Sequence, residues 1–166
     1  MRILVTGSNG FIGKNLTSTL KAKTKHEIYT FDREDSLQEL YEVVQKVDFI
    51  FHLAGVNRPQ TEEEFFEGNH DLTNHLIERL KIFNRSVPIM LSSSIQAEKE
   101  NPYGQSKRLA EKTLQAYHMD TGAKVYIYRF PNLFGKWSKP FYNSVIATWS
   151  YLIARDEPIE IDDPKH

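Results

Sequence analysis

Of the eight tyrosines in this 166-residue chain, Tyr103 alone has a lysine four residues further on, Lys107. On a helix the two share a face, and Asn101-Pro102 just ahead of them is a good helix start: a capping amide, then a ring already fixed at helical φ. A phenol with a pKa near 10 is a poor acid-base catalyst at neutral pH. An adjacent ammonium and an oxidised nicotinamide both favour the phenolate, so the Tyr103 pKa is expected to fall. Upstream, Leu91-Ser92-Ser93-Ser94 ends an apolar run in hydroxyls. One of them, Ser94 in preference to Ser93, would hydrogen-bond a substrate carbonyl oxygen while Tyr103 delivers a proton to it. Such a trio suits hydride transfer at a carbonyl carbon.

A hydride donor would need a cradle, and the chain offers one at its start. Thr6-Gly7-Ser8-Asn9-Gly10-Phe11-Ile12-Gly13 follows the apolar run 2–6 and precedes Phe11, Ile12, Leu16 and Leu20 at helical spacing. Three glycines spaced by three allow a tight turn, close approach of backbone to a pyrophosphate and close helix packing, while the N–H groups at the helix start receive phosphate. Gly7, Asn9, Gly10, Phe11, Ile12, Gly13 and Lys14 are therefore candidate dinucleotide contacts. A P-loop does not fit, because Asn15 follows Gly13-Lys14 and Ser8 stands where its first glycine belongs. The second apolar run ends in Phe31-Asp32-Arg33, where a ribose contact is expected. Asp32 would accept from a free 2′-hydroxyl, whereas Arg33, helped by Lys14, would pair with a 2′-phosphate. Two cations against one carboxylate favour NADPH over NADH or NAD.

The elements that must position these groups alternate along the chain. Strands are predicted at 2–6, 27–31, 48–53, 88–92 and 124–129, apolar nearly throughout, as in strands covered on both faces. Helices are predicted at about 11–21, 37–45, 62–82, 102–117 and 142–154. The expected fold is α/β, a Rossmann-like doubly wound parallel sheet with helices on both faces and ligands at the carboxyl ends of the strands. In the last helix Val145, Ile146, Trp149, Leu152 and Ile153 fall on one face, which reads as core. The acidic run Glu62-Glu63-Glu64 suits a helix N-terminus.

A net charge of −1 gives no global field to gather nucleic acid or anionic lipid. With no cysteine, disulfides, thiolate zinc sites and a Cys nucleophile are excluded. Mean hydropathy is −0.51 and neither a membrane span nor a cleavable leader is recognisable, so a cytoplasmic protein without nucleic-acid or membrane partners is expected. The six histidines show no paired-ligand spacing. No metal is assigned, and His52 reads as a packed or hydrogen-bonded strand residue.

The Thr6–Gly13 turn, Asp48-Phe49-Ile50-Phe51-His52-Leu53-Ala54-Gly55, Asn69, Ser92–Ser94, Tyr103/Lys107 and Arg129-Phe130-Pro131-Asn132-Leu133-Phe134-Gly135 together resemble the extended short-chain dehydrogenase/reductases, the NAD-dependent epimerase/dehydratase family. The resemblance implies catalytic roles for Ser94, Tyr103 and Lys107. It implies cofactor contacts at Leu53, Ala54, Gly55, Ser92, Tyr103, Lys107, Pro131 and Asn132, with Asp48 near adenine. Within the family, Phe51–Pro59, Ser92–Ala97, Asn101–Gly104, Pro131–Trp137 and Tyr142–Thr148 look most like the reductases of capsular-polysaccharide precursor synthesis. That likeness implies NADPH-dependent reduction of the 4-keto group of a UDP-2-acetamido-2,6-dideoxy-hexos-4-ulose, with Asn57, Arg58, Ser94, Asn132 and Asn143 meeting the UDP-linked sugar. A loop 57–59 exposed only to solvent is the alternative there.

Where dehydratases of the family carry Thr-Asp-Glu, this chain reads Ser94-Ile95-Gln96. Reduction or 4-epimerisation with tightly bound NAD is thus left in preference to dehydration, and a non-catalytic dinucleotide sensor is a further alternative. Residues 1–166 are expected to form an NAD(P)-binding domain at the N-terminal side of a longer, homodimeric reductase. The C-terminal substrate lobe would be missing from this chain, which by itself would carry little substrate specificity.

Overall fold

The computed structural model describes residues 1–161. They divide into two units, Met1–Pro131 and the segment from Asn132 onward.

The first unit is a five-stranded sheet with helical crossovers. Its strands are β1 (Arg2–Thr6), β2 (Glu27–Phe31), β3 (Phe49–His52), β4 (Ile89–Ser94) and β5 (Val125–Phe130), and its helices are α1 (Phe11–Lys23), α2 (Leu37–Val44), α3 (Glu63–Phe66), α4 (Leu72–Ile82) and α5 (Pro102–Thr121). Every pairing is parallel and the order is β2-β1-β3-β4-β5. The chain steps one way from β1 to β2 and the other way thereafter. Right-handed crossovers then place α1 on one face and α2, α4 and α5 on the other. The reversal leaves a crevice between β1 and β3 at their carboxyl ends, the place where doubly wound sheets bind ligands.

The main core lies between the sheet and the α2, α4, α5 layer, where Leu4, Ile50, Ile89 and Leu91 meet Leu40, Val44, Leu76, Leu80, Ala110, Leu114 and Tyr117. Local signals bound the helices as expected. Ser36 and Glu39 form a capping box on α2. Asn101 accepts the Gly104 N–H at 2.7 Å with Pro102 in the first turn of α5, and Gly122 ends that helix at φ 71°.

Three expectations need correction. The predicted helix 62–82 is broken by a π-helical turn, Glu67–Asp71, in which the Leu72 N–H bonds to Glu67 O, five residues back. The extra residue rotates Asn69 inward to 2% exposure, where its amide has work to do. Coverage on both faces fails for β5, whose residues alternate in exposure and whose Tyr128 is 52% exposed. This is an edge strand on the far side of the sheet from β1 and β2, the strands that α1 contacts.

The third correction concerns the second unit, where α6 (Val145–Ile153) starts at Ser144, whose hydroxyl accepts the Ala147 N–H. Its apolar face is not core: none of its residues is buried, and Val145 and Ile153 are 53% and 61% exposed. An amphipathic helix buries its stripe only where another layer packs on it.

Candidate active site

The glycine turn joins β1 to α1 through contacts only glycine permits. Gly7 has φ 68°, a left-handed conformation, and a Cβ there would lie 2.7 Å from the Ala54 backbone. A Cβ on Gly13 would lie 2.1 Å from the Gly7 carbonyl oxygen. The turn thus seats against the end of β3 and the first turn of α1 packs onto it. Gly10 caps α1 without a side-chain hydrogen bond, so the helix start presents N–H groups as phosphate recognition requires. Phe11 and Ile12 are half-buried behind the turn, while Asn9, Gly10 and Lys14 are exposed.

Asp32 is drawn into this turn. It accepts the Asn9 N–H at 2.9 Å and the Ser8 hydroxyl. Its carboxylate therefore braces the turn, and Ser8 joins the candidate site although the glycine spacing does not single it out. Arg33 is exposed beside it.

At the end of β3, Leu53 N–H donates to Thr6 O at 3.2 Å and Ala54 N–H to the Thr6 hydroxyl at 3.1 Å, fixing Leu53, Ala54 and Gly55 beside the glycine turn. A Cβ on Gly55 would fall 2.5 Å from Asn69 Oδ1 and 2.8 Å from Lys107 Nζ, so this glycine leaves the room in which amide and ammonium stand. Asn69 accepts the Val56 N–H at 3.0 Å and donates to Val56 O at 2.9 Å and to the Ser106 hydroxyl at 3.0 Å. It anchors the start of the loop that carries Asn57 and Arg58, both exposed.

Behind this floor lies His52, fully buried and hydrogen-bonded as expected. Thr73 donates to Asn69 O at 2.7 Å and so must accept from His52 Nε2 at 3.0 Å, which leaves Nδ1 to accept from the Thr6 hydroxyl at 2.7 Å. Burial, with a smaller contribution from the Lys107 charge, pulls the imidazole down to about 3. Among the described residues no group of three His, Cys, Asp or Glu side chains is placed to hold a metal ion.

Asp48 is a correction to what the family resemblance implied. It precedes β3 and lies at the amino end of the sheet, where it accepts from the Arg2 backbone at 2.8 Å and pairs with its guanidinium at 2.9 Å. Those hydrogen bonds hold its carboxyl down at about 2. Nucleotides bind at the opposite ends of parallel strands, so Asp48 ties the chain start to the sheet and does not meet adenine.

The trio converges at the carboxyl end of β4. Side chains alternate along a strand, so Ser94 and Ser93 part company: Ser94 lies near enough to the Tyr103 hydroxyl to favour its ionised form, whereas Ser93 donates to the buried Glu111. Ser94 is the serine placed to act. Its oxygen also accepts the Gln96 N–H at 3.2 Å, which fixes its rotamer. The Tyr103 ring packs at 5.5 Å on Phe65, a wall that no motif spacing marks. Lys107, 6% exposed, donates from Nζ to Ser92 O at 3.2 Å and lies 5.9 Å from the Tyr103 ring centroid.

For the protein alone, the Tyr103 pKa is raised. Burial pushes the phenol up, with the Ser94 hydrogen bond acting the other way. Desolvation thus outweighs what the neighbouring hydroxyl returns. A phenol that stays protonated is suited to give a proton, as reduction requires. Burial also pushes the Lys107 ammonium down, to about 8, while the Glu111 charge opposes that shift. Pro131 is exposed at the end of the first unit, and Asn132 and Asn143 are exposed residues of the second.

The match to the NAD dependent epimerase/dehydratase family extends over residues 3–163. The chain belongs to this family. One epimerase/dehydratase relative is the UDP-2-acetamido-2,6-beta-L-arabino-hexul-4-ose reductase of Pseudomonas aeruginosa, 52% identical over 163 residues, 98% of this chain and 44% of that protein. The crystal structure of the capsular polysaccharide assembling protein CapF from Staphylococcus aureus superposes with a TM-score of 0.86 at 50% identity, over 98% of this chain and 44% of that one. A UDP-glucuronic acid 4-epimerase from Bacillus cereus, solved with NAD, shares the fold at a TM-score of 0.82 and 19% identity, over 97% of this chain and 66% of its own. The chain therefore spans less than half the length of the family members it matches at about 50% identity. The fold is the Rossmann-like one expected, and among the described residues no helix is long and apolar enough to cross a membrane.

Proposed function

We propose that residues 1–166 are the cofactor-binding and catalytic domain of a longer NADPH-dependent reductase. Its substrate would be a UDP-2-acetamido-2,6-dideoxy-hexos-4-ulose, reduced at the 4-keto group during synthesis of capsular or other surface polysaccharide precursors. The observation that carries this reading is the placement of Lys107, whose Nζ bonds to Ser92 O at 3.2 Å and lies 5.9 Å from the Tyr103 ring, beside Gly55 at the end of β3 on which the glycine turn seats. The names of the relatives at about 50% identity support the substrate class.

The residues fit the cofactor: a helix start without a side-chain cap for the pyrophosphate, the Lys107 ammonium beside Gly55 for the ribose, and exposed Arg33 and Lys14 for a 2′-phosphate. NADPH, when bound, supplies the hydride that adds to the sugar C4. Ser94 donates a hydrogen bond to the carbonyl oxygen and polarises it. The Tyr103 phenol transfers its proton to that oxygen as negative charge develops there, and the C4 ketone becomes an alcohol. The Lys107 ammonium stabilises the phenolate left behind. Asn57 and Arg58, on the loop that Asn69 anchors, are offered as sugar-diphosphate contacts, with Asn132 and Asn143 contributed by the second unit. The family likeness extends this reading to a cytoplasmic homodimer.

The test is stoichiometry. Full-length protein supplied with the UDP-linked 4-keto sugar should consume one NADPH per sugar reduced. Interconversion of 4-epimers over a retained NAD, without net oxidation of added NADPH, would replace this reading by an epimerase.

A further inference from the structure

Tyr103, Lys107 and Glu111 stand at i, i+4 and i+8 on α5, so phenol, ammonium and carboxylate follow one another along one helix face. Glu111 is 4% exposed. Arg129 donates to it twice, Nε to Oε1 at 2.9 Å and Nη2 to Oε2 at 2.7 Å, and Ser93 donates to Oε1. Arg129 itself is tied at 3.0 Å to Glu98, a largely exposed residue of the turn after β4. The mechanism above uses none of these four residues.

A buried ammonium is costly unless a counter-charge accompanies it, and the Lys107 hydrogen bond goes to a neutral acceptor, the Ser92 carbonyl. Around the ammonium, β3 presents His52, neutral, and the π-helical turn presents Asn69, an amide. Its own helix presents the Tyr103 phenol and Glu111, while β5 presents Arg129, a cation closed onto Glu111. Among the described residues, Glu111 is thus the buried carboxylate on this side of the cluster.

We propose that Glu111, clamped by Arg129 and Ser93, is a positioning residue that supplies the counter-charge holding Lys107 in its ammonium form beside the cofactor ribose. The clamp keeps the carboxylate ionised. Burial works against its charge, but hydrogen bonds from Arg129 and Ser93 outweigh that and hold its carboxyl below the ordinary range. The inference rests on the reading of Lys107 as the catalytic lysine, so its test addresses the ammonium directly and does not depend on turnover.

Full-length, cofactor-free protein carrying 13C at lysine Cε is titrated by NMR, with Lys107 assigned by its loss in Lys107→Met. The Lys107 midpoint is expected near 8. Glu111→Gln, which keeps an acceptor for Arg129, should lower it by about 1 to 3 units, the range for loss of a nearby opposite charge. Arg129→Lys, which keeps a cation on the carboxylate, should leave it nearly where it is. The alkaline limb of kcat/KM should move with the midpoint in both variants. A purely structural role would leave the midpoint where it is. An unchanged midpoint in folded Glu111→Gln, or one moving upward, overturns the proposal. If that variant does not fold, Glu111→Asp, which draws the carboxylate back by one methylene, takes its place, and a midpoint that does not fall overturns the proposal.

Discussion

His52 makes folding stability depend on pH in a calculable way. The imidazole is buried between two threonine hydroxyls, with Nδ1 accepting from Thr6 and Nε2 donating to Thr73. A second proton on the ring would face the Thr6 hydroxyl hydrogen and force that hydroxyl to turn away. With the folded pKa near 3 against 6.5 for the free side chain, the unfolded chain binds a proton that the folded one refuses. Stability from this residue is fully present above pH 6.5 and is lost as pH falls through 6.5 toward 3. At pH 5 the ring lies 1.5 units below its free value, and at about 1.4 kcal/mol per unit the loss is about 2 kcal/mol. For a chain of this size that is a fall in Tm of roughly 4 to 8 °C. Urea unfolding at pH 7 and pH 5 measures it, and His52→Gln serves as the control for all other titrating groups. The variant should be less stable at both pH values, yet its difference between them should be smaller than that of the wild type by about 2 kcal/mol. Equal pH differences in the two proteins would refute the neutral, doubly bonded ring.

Three further outcomes are expected. Gly13→Ala would drive a Cβ to 2.1 Å from the Gly7 carbonyl, and backbone on both sides cannot yield cheaply. A stability loss of about 3 kcal/mol, with loss of NADPH binding in a fluorescence titration, should follow. For reduction, kcat/KM should fall as pH rises through about 8, where Lys107 loses its proton, while the phenol stays protonated. Arg33→Ala should lower NADPH affinity about tenfold, the loss of one charge-assisted contact, and leave NADH affinity nearly unchanged. Equal losses for both cofactors would remove Arg33 from the 2′-phosphate.

Where local chemistry decides structure, the sequence was readable. The bounds of β1 and β2 are those expected, the Asn101-Pro102 start and the Gly7 turn behave as their residue types dictate, and Ser94, Tyr103 and Lys107 do meet. What escaped depends on surroundings that periodicity does not encode. The π-helical turn at Asn69 preserves a nearly helical pattern and changes only which residue points inward. The α6 stripe has the spacing of a core face, but burial also needs an opposing layer. Asp48 sits in a familiar string, yet the parallel register carries it to the amino end beside Arg2. The rise in the Tyr103 pKa reflects burial against Phe65, a long-range contact. Glu111 did leave a signal, a carboxylate four residues past Lys107, whose meaning became visible only with Arg129 and Ser93 closed around it.

The central claim, that Tyr103 gives the proton while hydride reaches C4, is tested most directly by isotope transfer. Full-length protein is supplied with NADPH deuterated at the nicotinamide C4 and with the UDP-linked 4-keto sugar, and the product is read by NMR. The account predicts deuterium at the sugar C4 of the alcohol, formed about 100 to 10,000 times more slowly by Tyr103→Phe with NADPH affinity retained. Deuterium transferred at an undiminished rate by Tyr103→Phe, or absent from C4 in the wild-type product, would contradict it.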